Sequence, residues 1–137
     1  MSDENKAFIR RYIDEVWNQR NPHIIDEVFA PNAVLYAPPS SYHGPEGVRQ
    51  YVELFYVAFP DIRVTADDVF AEGDKVALLW SARGTHGGEM LGIAPTGKEV
   101  TMTGQAIYRI ARGKIEKAWS HGDAVGMLQQ FGVMPHQ

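Results

Sequence analysis

Apolar and polar positions alternate with two different periods along the chain, and the change falls near its middle. Over residues 3–18, Phe8, Ile9, Tyr12, Ile13, Val16 and Trp17 form one stripe at helical spacing. That spacing predicts an amphipathic helix, with Asp3 and Glu4 suited to the positive end of its dipole. Asn21-Pro22 reads as a cap followed by proline at the first helical position. A short second helix is therefore expected to about residue 29, with Ile24, Ile25, Val28 and Phe29 on one face. Pro31-Asn32 breaks it, Val34 to Tyr36 is a short strand candidate, and residues 41–44 read as a turn. A third helix starts at Pro45-Glu46, carries Val48, Tyr51, Val52, Phe55 and Phe59 at helical spacing, and stops at Pro60.

From Asp61 the period becomes two. Ile62, Val64 and Ala66 alternate with polar residues, and strands are expected over residues 76–86, 100–110 and 115–121. Gly-containing turns at residues 72–75 and 111–114 join them as hairpins. Residues 123–131 predict a short last helix ended by Gly132. Three helices followed by antiparallel strands predict one α+β domain over residues 1–137, its helices packed on a curved sheet.

The alternation also sorts side chains by face. One face carries Val76, Leu78, Trp80 and Ala82, then Gly84 and His86 unless a bulge at Gly84 shifts the phase. On the next strand it carries Val100, Met102, Gly104, Ala106, Tyr108 and Ile110. Strict alternation on the last strand adds Ile115, Lys117, Trp119, His121 and Asp123. Trp80, His86, Met102, Trp119, His121 and Asp123 are thus expected to share a concave wall, aromatic with an acid and two imidazoles near the strand end. Each has a plainer reading: the tryptophans as core, the histidines as surface groups, and Asp123 as the cap of the helix that follows it. In register with Trp119 and His121, Asp123 would be partly desolvated, which favours a base.

Composition narrows the function classes. In 137 residues there is no cysteine, which excludes disulfides, thiol nucleophiles and thiolate metal sites. A net charge of −4 gives no basic footprint for nucleic acid. The acidic start and short apolar runs predict neither a secretory signal nor a membrane partner, so the expected location is the cytoplasm. Fifteen aromatics (3 Trp, 6 Tyr, 6 Phe) and 5 His stand out in so small a chain.

Three segments then resemble a known family. Tyr42 to Arg49 (YHGPEGVR) resembles its "HGxEGVR" entry to the third helix. Gly84 to Gly97 (GTHGGEMLGIAPTG) resembles its "GTHxGExLGIPPTG" loop. Trp119 to Gly132 (WSHGDAVGMLQQFG) resembles its "WxxxDxxGLLxQLG" ending. Together they resemble the SnoaL-like polyketide cyclase (ester cyclase) family of the nuclear-transport-factor-2-like superfamily. Phe131 stands where that pattern has Leu, and Ala94 where it has Pro. The resemblance implies a cone-shaped, strongly curved antiparallel (mixed) sheet, an α+β barrel wrapping a cavity closed by three helices of the N-terminal half. It also implies intramolecular aldol ring closure of a polyketide-like substrate without metal or cofactor, with one Asp as acid and base. The matching position is Asp123.

On that reading His121 or His86 assists Asp123, while Tyr12, Trp80, Met102 and Trp119 line a flat slot with Tyr36 and His43 at its mouth. The expected partner is a hydrophobic or aromatic small molecule, with a homodimer formed through the outer sheet face. Two other classes stay open. One is a non-catalytic small-molecule binding protein. The other is a related isomerase or epoxide hydrolase, the latter needing a buried Asp–Arg–Asp set. Arg83 and Arg109 have outward parity, against such a set. His43, His86 and His121 lack a metal-ligand spacing motif, so no metal is expected.

Overall fold

The computed structural model describes residues 2–133. Helix α1 (Ser2–Tyr12) opens the chain and continues as a wider π-helical turn, Ile13–Asn18. One regular helix was expected here, and the difference has a cause. In a π turn residues i and i+5 come together, and Trp17 Nε1–H donates to the Tyr12 hydroxyl at 3.2 Å. Backbone bonds of the same wide spacing follow, with Gln19 N–H on the Asp14 carbonyl at 2.9 Å. The expected second helix is a 3₁₀ turn (Pro22–Ile24) running into one α-helical turn, α2 (Ile25–Val28).

Six strands follow: β1 (Phe29–Ala37), β2 (Ser40–His43), β3 (Arg63–Glu72), β4 (Lys75–Thr85), β5 (Glu99–Ala111) and β6 (Lys114–Gly122). Helix α3 (Gly44–Ala58) lies between β2 and β3, and α4 (Ala124–Phe131) follows β6. The turn expected at residues 41–44 is instead β2, paired antiparallel with β1. The strand order is β2-β1-β6-β5-β4-β3, with β1 and β6 parallel and every other pair antiparallel. The sheet is therefore mixed, and it stays open, with β2 and β3 as edges. The Asn18 side chain blunts the β3 edge: it donates to the Val64 carbonyl at 2.9 Å and accepts from the Val64 N–H at 2.7 Å.

The core lies between the inner sheet face and the helices. Val76, Leu78 and Ala82 of β4 and Val100, Met102, Ala106 and Tyr108 of β5 are buried, as their alternation predicts. No bulge occurs at Gly84, which keeps its register with Val100.

Strand β6 departs from strict alternation. Ile110 pairs with Ile115, but Arg109 pairs with Lys117, so Glu116 is an extra residue on β6. A bulge of this kind shifts the phase of everything after it. Ala118 and Ser120 consequently oppose Tyr108 and Ala106 on the inner face. Lys117, Trp119 and His121 oppose Arg109, Ile107 and Gln105 on the outer face. The expectation that Trp119 and His121 share the concave wall is corrected by this one residue. Their outer row is continuous across five strands: Tyr36, Trp119, Ile107, Ala77 and Phe70 are successive partners.

Candidate active site

Two connected spaces lie under the helices. The inner slot, about 50 Å³, is bordered by Tyr12 and Trp17 of the first helical segment, Tyr51 and Phe55 of α3, and Trp80, Met102, Tyr108 and Ser120 of the sheet. The outer chamber, about 340 Å³, shares Tyr51, Phe55, Trp80, Met102 and Ser120 with the slot. Its far side is formed by Pro38 and Pro39, Leu54, Met90 and Leu91, and the start of α4 with Asp123 and Met127. That volume is in the range that takes a small organic ligand.

Local chemistry explains the aromatic wall. The π turn presents Trp17 to α3, where its ring meets Phe55 edge-on at 5.7 Å and Tyr56 at 6.3 Å. The Tyr56 hydroxyl donates to the Val16 carbonyl within the widened turn. On the sheet, Trp80 lies over its partner Gly104, where an added Cβ would sit 2.2 Å from the indole. A residue with any side chain at position 104 would lift that ring.

The slot is rich in phenols. Burial pushes the Tyr12 and Tyr108 hydroxyls well above the ordinary tyrosine range, so both stay protonated. Burial raises Tyr51 as well, while a hydrogen bond with Ser120 acts in the opposite direction. No Lys or Arg borders either space among the described residues. Arg83 is exposed on the outer face, and Arg109 is held outside by Glu116 at 2.7 Å.

Asp123 sits where the sheet ends and α4 begins. Its Oδ1 accepts the Gly126 N–H at 2.8 Å, so it caps α4 through its side chain. Gly126 lets the carboxylate lie this close, since a Cβ there would be 2.3 Å from Oδ2. Asp123 is exposed rather than desolvated by Trp119. It borders the outer chamber on one side and, with Asp67, Gln105 and His121, an open depression on the other.

The remaining candidates scatter for identifiable reasons. Tyr12, Trp80 and Met102 line the cavity. His121 is exposed at its rim. Trp119 and Tyr36 are cross-strand partners outside, stacked at 5.9 Å between ring centroids and 19° between planes. His43 is exposed at the start of α3 and borders neither space.

His86 is fully buried but also borders neither space. Its Nδ1 accepts the Thr96 N–H at 3.2 Å, its ring stacks on Phe131 at 4.0 Å, and its Nε2 has no partner among the described residues. It ties the loop after β4 to the end of α4. No group of three or more potential metal ligands occurs among the described residues. Tyr51, Ser120, Trp17 and Tyr108 were not singled out from the sequence as site residues. Lys117 was the available signal for Ser120, because a lysine in the apolar phase of a strand indicates a phase shift.

The curled sheet with helices over one face and a cavity between them fits one class of proteins, and the comparisons agree. The chain belongs to the SnoaL-like polyketide cyclase family, whose model matches residues 7–131. IdmH from Streptomyces antibioticus, described as a candidate polyketide cyclase, is 32% identical with a TM-score of 0.80, over 93% of this chain and 97% of that one. AclR from Streptomyces galilaeus, described as a candidate hydroxylase, is 27% identical with a TM-score of 0.87, over 98% and 88%. A Catenulispora acidiphila protein with a ketosteroid isomerase-like fold shares the architecture at 15% identity and a TM-score of 0.78, over 93% of each chain. No curated protein matches.

Proposed function

We propose that this chain is a cofactor-independent acid/base cyclase that closes a ring of a neutral, flat polyketide-like substrate by intramolecular aldol condensation. The observation that carries this reading is the position of Asp123. It is the one acidic residue bordering the outer chamber among the described residues, at the rim of a mostly apolar and aromatic wall. The carboxylate takes a proton from carbon flanked by two carbonyls, and the enolate carbon attacks a second carbonyl. The same carboxyl group then returns its proton to the new alkoxide. General base catalysis of this kind contributes roughly 10²–10⁴-fold. The substrate spreads the enolate charge over its own carbonyls, and the chamber holds it flat against Trp80 and Phe55. The absence of Lys and Arg from the lining favours a neutral ligand over an anion.

The test is deuterium uptake from D2O into the acidic C–H of aryl β-keto esters. Wild type should accelerate uptake, and Asp123→Asn should lose the acceleration while keeping its fold. Full activity in Asp123→Asn would remove the residue's catalytic role. A second reading has one observation in its favour: Asp123 is engaged as a helix cap. If wild type binds aryl β-keto esters with no acceleration, the protein is a small-molecule binding protein.

We also propose that a second copy covers the outer face of the sheet. Phe70, Leu79 and Ile107 are exposed there, 56%, 41% and 43% respectively, beside the Tyr36–Trp119 stack. Ile107→Lys should convert a dimer to a monomer in sedimentation analysis and leave the cavity intact.

A further inference from the structure

Aldol ring closure puts negative charge on the enolate oxygen before the new carbon–carbon bond forms. Asp123 is occupied with the proton taken from carbon, so a second donor is needed at the enolate oxygen. Neither space is bordered by Lys or Arg among the described residues, and His121 stands exposed at the chamber's rim. Deeper in the cavity the charge meets neutral donors already in place.

The polar side chains that border both slot and chamber are Tyr51, Ser120 and the Trp80 indole. Tyr51 comes from α3, and Ser120 from β6 in the phase set by the Glu116 bulge. The Tyr51 ring is fixed by Tyr42 and Phe55, each 5.2 Å away, and by Trp17 at 6.3 Å. Burial raises the Tyr51 hydroxyl and keeps it protonated as a donor, while Ser120, on the same stretch of wall, acts to lower it. Ser120 precedes Asp123 by three residues near the strand end, roughly 10 Å at the usual strand rise. A substrate fragment between them can present its acidic carbon to Asp123 and its carbonyl oxygen to Tyr51.

We propose that Tyr51, positioned by Ser120, is the oxyanion-stabilising residue of this site, donating its O–H to the enolate oxygen. The inference rests on the acid/base reading of Asp123. The Asp123 carboxylate takes the C–H proton, and that bond's electron pair becomes the enolate. The new carbon–carbon bond forms as the attacked carbonyl's π pair moves to its oxygen, which receives the proton back from Asp123. The Tyr51 proton stays on Tyr51 throughout.

Substituted 2-naphthols of graded acidity test this without a known substrate, because a bound naphtholate mimics the enolate oxygen and absorbs at longer wavelength than the neutral form. Wild type should bind the more acidic naphthols more tightly and show the naphtholate band. Tyr51→Phe, which keeps the ring, should bind them at least tenfold more weakly and lose the band; Ser120→Ala should fall between the two. Asp123→Asn should retain the band. Unchanged affinity and band in Tyr51→Phe would overturn the proposal, as would wild type leaving the naphthols neutral or unbound. The deuterium-uptake assay reports on Asp123 separately. Loss of uptake in Asp123→Asn with an unaltered naphthol response in Tyr51→Phe sinks this inference alone. Retained uptake in Asp123→Asn with a lost band in Tyr51→Phe sinks the acid/base reading alone.

Discussion

Asp123 caps α4 and, in the proposed function, is also the acid/base, and substitutions separate the two. Asn also caps helices well, so Asp123→Asn should stay within about 0.5 kcal/mol of wild type, since Asn and Asp rank together as N-caps. Asp123→Ala removes both roles and should cost about 1 kcal/mol of stability in urea unfolding. Equal stability of the two variants would mean that the bond to Gly126 contributes nothing. Gly104 offers a second test. Gly104→Ala places a methyl group into the Trp80 indole and should destabilise by about 1–3 kcal/mol, the range for overpacking. A change in tryptophan fluorescence should accompany it, because the ring must leave the cavity wall.

The elements are shaped by two irregularities. The π turn at Ile13–Asn18 brings Trp17 to Tyr12 and Asn18 to the edge of β3. The bulge at Glu116 decides which residues of β6 face the cavity. Deleting Glu116 should leave Ile115 inward and Lys117 outward in unbroken alternation, so Ala118 and Ser120 still face the cavity and cooperative unfolding is kept. Glu116→Gln keeps the residue count and loses only partly exposed ion pairs with Arg109 and Arg112, a change of under about 1 kcal/mol. Loss of the cooperative transition in the deletion variant would show that the bulge itself, and not only the facing it sets, holds the sheet together.

At the scale of the whole molecule, the loop before β3 is tied to the end of β4 by one carboxylate. The Thr85 N–H and hydroxyl donate to Asp61 at 2.6 and 2.9 Å and hold its carboxyl below its ordinary value of 3.8. A lowered native value makes this contribution complete above about pH 4 and lost as pH falls through the native value. Acid unfolding of wild type should therefore be steeper below pH 4 than that of Asp61→Asn. The reverse sign applies at high pH. Tyr12, Tyr51 and Tyr108 are raised by burial, so their contribution is full below pH 10 and declines above it. No described helix is long and apolar enough to cross a membrane.

The amino-acid sequence by itself determined that helices precede a run of antiparallel strands, and the inner faces of β4 and β5. Those depend on local period, and the pairing of β4 with β5 runs uninterrupted. Its three family-like segments lie within residues 7–131, the stretch matched by the family model, except for Gly132 at the end of the last. Only the tertiary structure decided which side chains of β6 meet the cavity, because a bulge depends on how the partner strand registers. It likewise decided that His86 is a buried tie between loop and helix, since Thr96 and Phe131 reach it from 10 and 45 positions away. Asp123 was legible as a cap, which the structure shows, and it also borders the outer chamber. Its main-chain N–H bonds the Thr103 carbonyl at the rim of the chamber, while its side chain accepts the Gly126 N–H of α4.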